Sequence, residues 1–340
     1  MFMESSMHSQ YKTSGQNSLP PQTQAEKTHD DAVFAHCLAH VCAQACGGVE
    51  GVYGPQSMTW QIGRESVLLL GGLRALVLQL AHPAVAEGVN QSSTFRNDPM
   101  GRARRTFTST YEVIFGDLNT AIRSGTRTHA IHHRVRGEYP ATTTPRFAGQ
   151  SYRANDPALL MWVWATLVDT SLLTYETFLR PLTLTEKAQY YAESHLSAVV
   201  SGVPPTMLPP TLTDFYTYYQ ARLEGPELLT STTTGELAKA LFKTPYLRFL
   251  QLDEIVAAGL LPPRFHAVCG LAWEAPQQQR FRQAVAVVRL IQRLTPASLR
   301  AVPAYHQART RLAKAYGHRP PLTSRLISRW DLTKLMSTAQ

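Results

Sequence analysis

The stretch Leu159–Leu173, LLMWVWATLVDTSLL, is apolar on nearly every side of a helical wheel yet is interrupted by Asp169. A helix without a polar face must be enclosed, and a carboxylate inside it favours enclosure by protein over lipid, so the stretch predicts the central helix of a large α-domain. A second apolar run, Ser66–Ala86 (SVLLLGGLRALVLQLAHPAVA), approaches membrane-spanning length but holds Arg74, Gln79 and His82, with Gly71-Gly72 as a packing break. It reads as another buried helix, and no transmembrane span is predicted.

Outward from these two runs, apolar residues recur at intervals of three and four. The spacing predicts helices over Val113–Ile122, Thr185–Gly202, Thr211–Leu223, Thr233–Leu241, Gln277–Leu294 and Pro303–Ala315. Thr183-x-x-Glu186 is a capping-box pattern, and Asp98-Pro99 places proline in a first turn behind an acidic N-cap. Proline pairs at 204–205, 209–210, 262–263 and 320–321 separate the helices. Strand-like alternation is confined to Pro140–Thr144, and no internal repeat is visible. The expected fold is all-α, a single large helical domain over residues 31–318. Residues 1–30 are expected to be a disordered polar tail, and 319–340 a basic C-terminal segment in which 322–336 form an amphipathic helix.

The 340 residues suffice for a sizeable core without disulfide or metal staples, and a charged fraction of 17% implies a largely neutral surface. The net charge of +9 is concentrated: residues 261–340 carry thirteen Lys/Arg against Glu274 and Asp331 alone. No helix-turn-helix, zinc-finger or RNA-recognition signature accompanies that charge, so nucleic acid is not an expected partner. An anionic membrane surface and a merely solvated basic face are the two readings left open. The first thirty residues lack a basic start followed by an apolar run, so no signal peptide is expected and the predicted location is cytoplasmic. Four cysteines, three of them at Cys37, Cys42 and Cys46, form no secreted framework and are expected as free thiols.

Candidate chemistry is sparse. His36/His40 and Cys42/Cys46 are each four apart, but about 200° separates His40 from Cys42 around a helix, so the pairs face apart. Serine-hydrolase, Walker, dinucleotide and zincin motifs are absent. What remains are polar residues in otherwise apolar surroundings: His82, Asp98, Arg102, Thr106, His132, Gly137, Tyr152, Asp156 and Asp169. Arg102 and Thr106 project a guanidinium and a hydroxyl from one helical face, suited to an anionic group such as a porphyrin propionate, although Arg102-Ala103-Arg104-Arg105 also reads as a solvated face. His132, flanked by His129 and His133, is one of twelve histidines, and a single imidazole is all that haem iron needs from a protein.

These residues occur in an order that resembles the catalytic domain shared by rubber oxygenases (latex-clearing protein) and the ER-bound oxygenase of mycophenolic acid biosynthesis. The resemblance runs through 70–75 (LGGLRA), 79–86 (QLAHPAVA), 98–102 (DPMGR) with Thr106, and 132–137 (HHRVRG). It continues through Tyr152, 156–160 (DPALL), 162–165 (WVWA), 190–193 (YYAE), 202–204 (GVP), 260–263 (LLPP) and 305–309 (YHQAR), covering about residues 60–315.

The resemblance implies a globin-like helical core that binds haem b and adds O2 across carbon–carbon double bonds of a hydrophobic, isoprenoid substrate. By motif position His132 would be the proximal iron ligand, because the pattern of His, two residues, Val and then Gly is met by His132, Val135 and Gly137; His133 is the fallback. Arg102 and Thr106 would correspond to the family's Arg and Thr near the haem, and Glu87 to an acidic base fifteen residues before the Arg. The chain departs from the pattern at Ser92-Ser93 and Trp164, where many members have histidine, and at Arg105, where latex-clearing proteins carry a lysine able to cap iron. A guanidinium has no lone pair to give. The alternative expectation is a non-catalytic lipid-binding or peripheral-membrane protein of the same fold.

Overall fold

Asp156 starts the central helix by accepting the Ala158 N–H at 2.8 Å, and Pro157 supplies the preset φ of a first helical residue. In a computed structural model that describes residues 24–91, 99–242 and 252–328, sixteen α-helices and one two-stranded hairpin are present among the described residues. The first half runs α1 (Gln24–Gln44), α2 (Met58–Gly63), α3 (Gly72–Leu80), α4 (Pro83–Gln91), α5 (Pro99–Phe115) and α6 (Leu118–His132). The antiparallel strands β1 (Arg136–Glu138) and β2 (Ser151–Arg153) follow, with Gly137 opposite Tyr152. The second half runs α7 (Pro157–Phe178), α8 (Leu184–Val200), α9 (Leu212–Glu224), α10 (Thr232–Phe242) and α11 (Leu252–Leu260). It ends with α12 (His266–Cys269), α13 (Ala275–Leu294), α14 (Ala297–Arg300), α15 (Pro303–Ala315) and α16 (Leu322–Ile327).

The all-α class matches the sequence reading, and α7 is the core helix that the Leu159–Leu173 stretch predicted. Trp162, Ala165 and Leu172 are enclosed completely or nearly so, packed by α3 on one side and α8 on another. The two indoles are satisfied: Trp162 Nε1–H donates to Leu78 O at 3.2 Å and Trp164 Nε1–H to Ser194 O at 3.0 Å. Among the described residues α7 is the one unbroken helix long and apolar enough to cross a membrane, and 67% of that window is buried within the protein.

Other starts also follow the sequence. The Thr183–Glu186 capping box opens α8, and Thr211 caps α9 by accepting the Asp214 N–H at 3.1 Å. Three expectations need correction. Ser66–Ala86 is not one helix: Ser66–Gly71 form a 3₁₀ turn, α3 ends at Leu80, and α4 leaves at 101° to the segment before it. Pro83 lacks an N–H and disfavours helical backbone at His82, which breaks the run there. Gly71 passes so close to α7 that a Cβ would lie 2.3 Å from Thr174 Oγ1. The run Val113–Ile122 reverses at Gly116-Asp117, where Asp117 caps α6 by accepting the Thr120 N–H at 2.7 Å. Pro140–Thr144 is a turn, closed by Thr144 N–H to Pro140 O at 2.8 Å; the strands lie on either side of it.

Helix α1 begins inside the expected N-terminal tail, at Gln24; residues 1–23 lie outside the described residues, as do Asp98 and positions 329–336 of the expected C-terminal helix. All four cysteines are free thiols, Cys37 and Cys269 buried, Cys42 and Cys46 exposed.

Arg74 crosses the core from α3. It donates to Asp169 Oδ2 and Thr170 Oγ1 of α7, each at 2.5 Å, and to Leu260 O of α11 at 2.8 Å. Arg74 is 3% exposed and Asp169 only partly so, so removing the guanidinium leaves a carboxylate and a carbonyl with little water to replace it. Arg74→Ala is expected to lower unfolding free energy by about 3–5 kcal/mol in urea titration, and Asp169→Asn by less because the amide still accepts.

Candidate functional site

The break at His82 does more than turn the chain. His82 Nδ1 accepts the Ala84 N–H at 3.2 Å and so caps α4; the ring proton is therefore on Nε2, 3.0 Å from Glu227 Oε1. Arg222 Nη1 holds the other oxygen of Glu227 at 2.6 Å. The hydrogen bond from His82, backed by the charge of Arg222, outweighs burial and holds the Glu227 carboxyl down at about 2.

Thus aimed, α4 carries Glu87 into the interior, where it is 2% exposed. Its Oε1 accepts three hydroxyls: Thr143 at 2.8 Å, Thr144 at 2.9 Å and Ser231 at 2.8 Å. The two threonines come from the turn of the β-hairpin and the serine from the start of α10, and Thr232 N–H to Thr143 O at 2.9 Å joins those two loops. The next residue, Gly88, lies against the segment that follows His132: a Cβ on it would be 3.0 Å from Val135 Cγ1. Gly137 is bounded the same way by Gln91 and Tyr152, with a hypothetical Cβ 2.7 Å from Gln91 Nε2 and 2.9 Å from Tyr152 Oη. A Cβ at Gly88 would make the Val135 side chain give way, and one at Gly137 would displace the ends of Gln91 and Tyr152. Burial, reinforced by the charge of Glu87, pushes the Tyr152 phenol well up; for Tyr139, burial with the charges of Glu227, Asp156 and Glu87 raises it to about 12.

His132 is the last residue of α6, half-buried with its Nδ1 enclosed. Its carbonyl accepts the Val135 N–H at 3.0 Å, and Asn155 donates to His129 O at 3.3 Å, which ties the helix end to the hairpin. Helices α5 and α6 are antiparallel, paired by Arg127 with Glu112 and by Ser124 with Ser109 O. That register sets the first turns of α5, with Arg102 and Thr106, opposite the last turns of α6. Thr106 is exposed, as is Arg105; the side chain of Arg102 lies outside the described residues. The structure therefore joins the helix of Glu87 to the segment of His132, and sets the α5 pair across the hairpin from that histidine. His133 points elsewhere, its Nε2 3.0 Å from Asp31 Oδ1.

Most remaining residues of the resemblance are framework. Gln79 donates to Thr166 at 3.2 Å, and Glu193 receives the Met58 and Thr59 N–H groups at 3.1 and 2.7 Å, opening α2. Gly202 has φ +102°, a backbone that L side chains rarely adopt. Trp164 is core rather than pocket lining, and Ser92-Ser93 lies outside the described residues. The sequence reading did not find Thr143, Thr144, Ser231 or Glu227. Single hydroxyls and carboxylates in polar loops carry no local signal, and Ser231 lies 144 positions from Glu87.

Residues 59–290 match the family described as ER-bound oxygenase mpaB/B'/Rubber oxygenase, catalytic domain, and the chain belongs to this family. It is accordingly of the oxygenase class. Two relatives, the uncharacterized proteins Mb2261 of Mycobacterium bovis and Rv2237 of Mycobacterium tuberculosis, are each 27% identical to it over 230 residues, 65% of this chain and 87% of theirs. No solved structure matches at a significant level.

Because the Glu227 carboxyl is depressed in the folded state, its stabilisation is present above its ordinary pKa of about 4.3 and is lost as pH falls toward about 2. Glu227→Gln is expected to lower stability by about 1–2 kcal/mol at pH 7, a charge-assisted bond discounted for partial exposure. The gap to the parent should narrow as pH is lowered from 5 to 2, read by thermal melts across that range.

Proposed function

We propose that the chain is a haem b-dependent oxygenase that cleaves a carbon–carbon double bond of a hydrophobic, isoprenoid molecule with O2. The observation that carries this reading is the joining of the helix that bears a buried carboxylate, Glu87, to the segment that follows His132, within a chain of an oxygenase family. The donor set fits the group. His132 offers one half-buried imidazole at a helix end, and with no Cys-x-x-Cys-His in the sequence the haem would be held without thioether bonds.

In this reading His132 would hold the iron, and Arg102 and Thr106, assigned by motif position on α5, would help to bind the cofactor. Haem, when bound, supplies the binding and activation of O2. Glu87 acts as the base: its Oε1 is fixed by three hydroxyl donors, which leaves Oε2, to which none of them donates, to take an allylic proton. Tyr139 and Tyr152 pack against each other on the hairpin, ring centroids 5.0 Å apart, within reach of the Glu87 charge. Arg105, exposed and without a lone pair, would supply no nitrogen to the iron.

The absorption spectrum tests the reading. Purified protein should show a Soret band that His132→Ala loses and His133→Ala keeps, and carbon monoxide should bind the reduced form directly. Glu87→Gln should retain haem and slow turnover of a polyisoprenoid by about 10²-fold or more. Absence of haem from the correctly folded protein, or full haem in His132→Ala, sinks the assignment.

An anionic bilayer is the surface on which such a substrate would be met, and the C-terminal quarter of the molecule suits one. On α13, Val287, Leu290, Ile291 and Leu294 form a stripe at helical spacing and are 53–75% exposed, among the exposed Arg282 and Arg293. On α16, Leu322 and Leu326 also face solvent, while Ser324 turns inward to His306 Nδ1 at 3.1 Å. His306 Nε2 reaches Ser298 O of α14 at 2.8 Å, so the two short helices are locked together. Apolar side chains enter the headgroup region, and each nearby arginine adds on the order of 1 kcal/mol. Leu290→Glu with Leu326→Glu is expected to reduce co-sedimentation with phosphatidylserine vesicles at least tenfold while leaving the melting temperature unchanged. Equal binding by parent and variant overturns the membrane reading.

A further inference from the structure

Three polar atoms converge between α1 and the last turn of α6. His129 Nε2 and His133 Nε2 are 2.9 Å apart, and Asp31 Oδ1 lies 3.4 Å from the first and 3.0 Å from the second. Hydrogen atoms cannot satisfy this triangle. If both imidazoles donate to the carboxylate, two N–H groups oppose each other across 2.9 Å; if His129 donates to His133, the bare nitrogen of His133 faces the carboxylate oxygen, and the converse arrangement fails likewise. A cation at the centre satisfies all three edges at once.

The dimensions agree with that. Ligands about 2.05 Å from a tetrahedral metal lie about 3.3 Å from one another, and two imidazole nitrogens with one carboxylate oxygen are a donor set for Zn2+ or a neighbouring divalent transition ion. The rings are also held. His129 is nine-tenths buried and stacks on Phe34 at 4.0 Å with an interplanar angle of 3°. Among the described residues the Nδ1 atoms of His129 and His133, both buried, have no hydrogen-bond partner, and the polar contacts of the two side chains there lie within the triangle. Asp31 is exposed, which leaves the remaining coordination position to water.

We infer that Asp31, His129 and His133 form a Zn2+-class site that clamps α1 to the end of the helix bearing His132. The site is separate from the proposed iron ligand: around the helix His132 lies about 60° from His129 and about 100° from His133, and its imidazole is not one of the three converging groups. It stands whether or not haem is bound.

Zinc titration of the full chain by calorimetry, paired with thermal melts in zinc and in EDTA, tests this. One zinc per chain should bind and raise the melting temperature. Asp31→Asn, at an exposed position that does not burden the fold, and His133→Ala should each weaken binding at least tenfold and abolish the zinc-dependent rise. His36→Ala and Cys42→Ser, on the same α1 helix, should change neither readout. Binding that survives Asp31→Asn and His133→Ala, binding lost instead with His36→Ala or Cys42→Ser, or no stoichiometric binding at all overturns the site.

Discussion

The guanidinium of Arg74 is the constraint on which the arrangement rests. It is the one charge of α3 placed against α7, and its donors are divided among the carboxylate and hydroxyl of adjacent α7 residues and the last carbonyl of α11. An arginine in that position must be paired, so α3, α7 and α11 cannot slide independently. With α3 held, the chain must leave the core at Leu80, and the turn that follows is where His82 and Pro83 send α4 toward the hairpin.

The consequence reaches the candidate site by short steps. His82 caps α4 and is anchored by Glu227; α4 carries Glu87 to three hydroxyls from two loops; Gly88 and Gly137 allow the helix and the hairpin to touch. Each step depends on close approach rather than on a long-range field. The residues that carry the resemblance accordingly divide into a majority that set this framework, such as Gln79, Glu193 and Gly202, and a few that the framework does not explain, His132 among them. A second cluster at Asp31, His129 and His133 uses the same helix end.

The surface of the C-terminal quarter follows a different rule. Helix α13 contributes no fully buried residue, packing by Phe281, Val285 and Val288 against Val67 and Leu260 while a second apolar stripe faces outward. An amphipathic helix that closed a domain would show one apolar face; this one shows two, separated by arginines. Arg282 and Arg293, both exposed, lie on the same helix as that outward stripe of Val287, Leu290, Ile291 and Leu294.

By itself the sequence determined the all-α class, the central helix and most helix starts, because periodicity and capping are local and the Thr183–Glu186 box or the Asp156-Pro157 start needs no distant partner. It also supplied the family, whose ordered motifs survive even where each is weak alone. Tertiary structure alone decided where the long apolar runs break, since Pro83 and Gly116 act through packing and turn geometry that hydropathy cannot distinguish from a continuous helix. It alone decided what surrounds Glu87 and what converges on His129. Thr143, Thr144 and Ser231 reach one carboxylate oxygen from loops far apart in the chain, and Asp31 meets His133 across 102 positions. Convergence of that kind is a property of the packed chain: a hydroxyl or carboxylate acquires its role only when burial removes water as the competing partner.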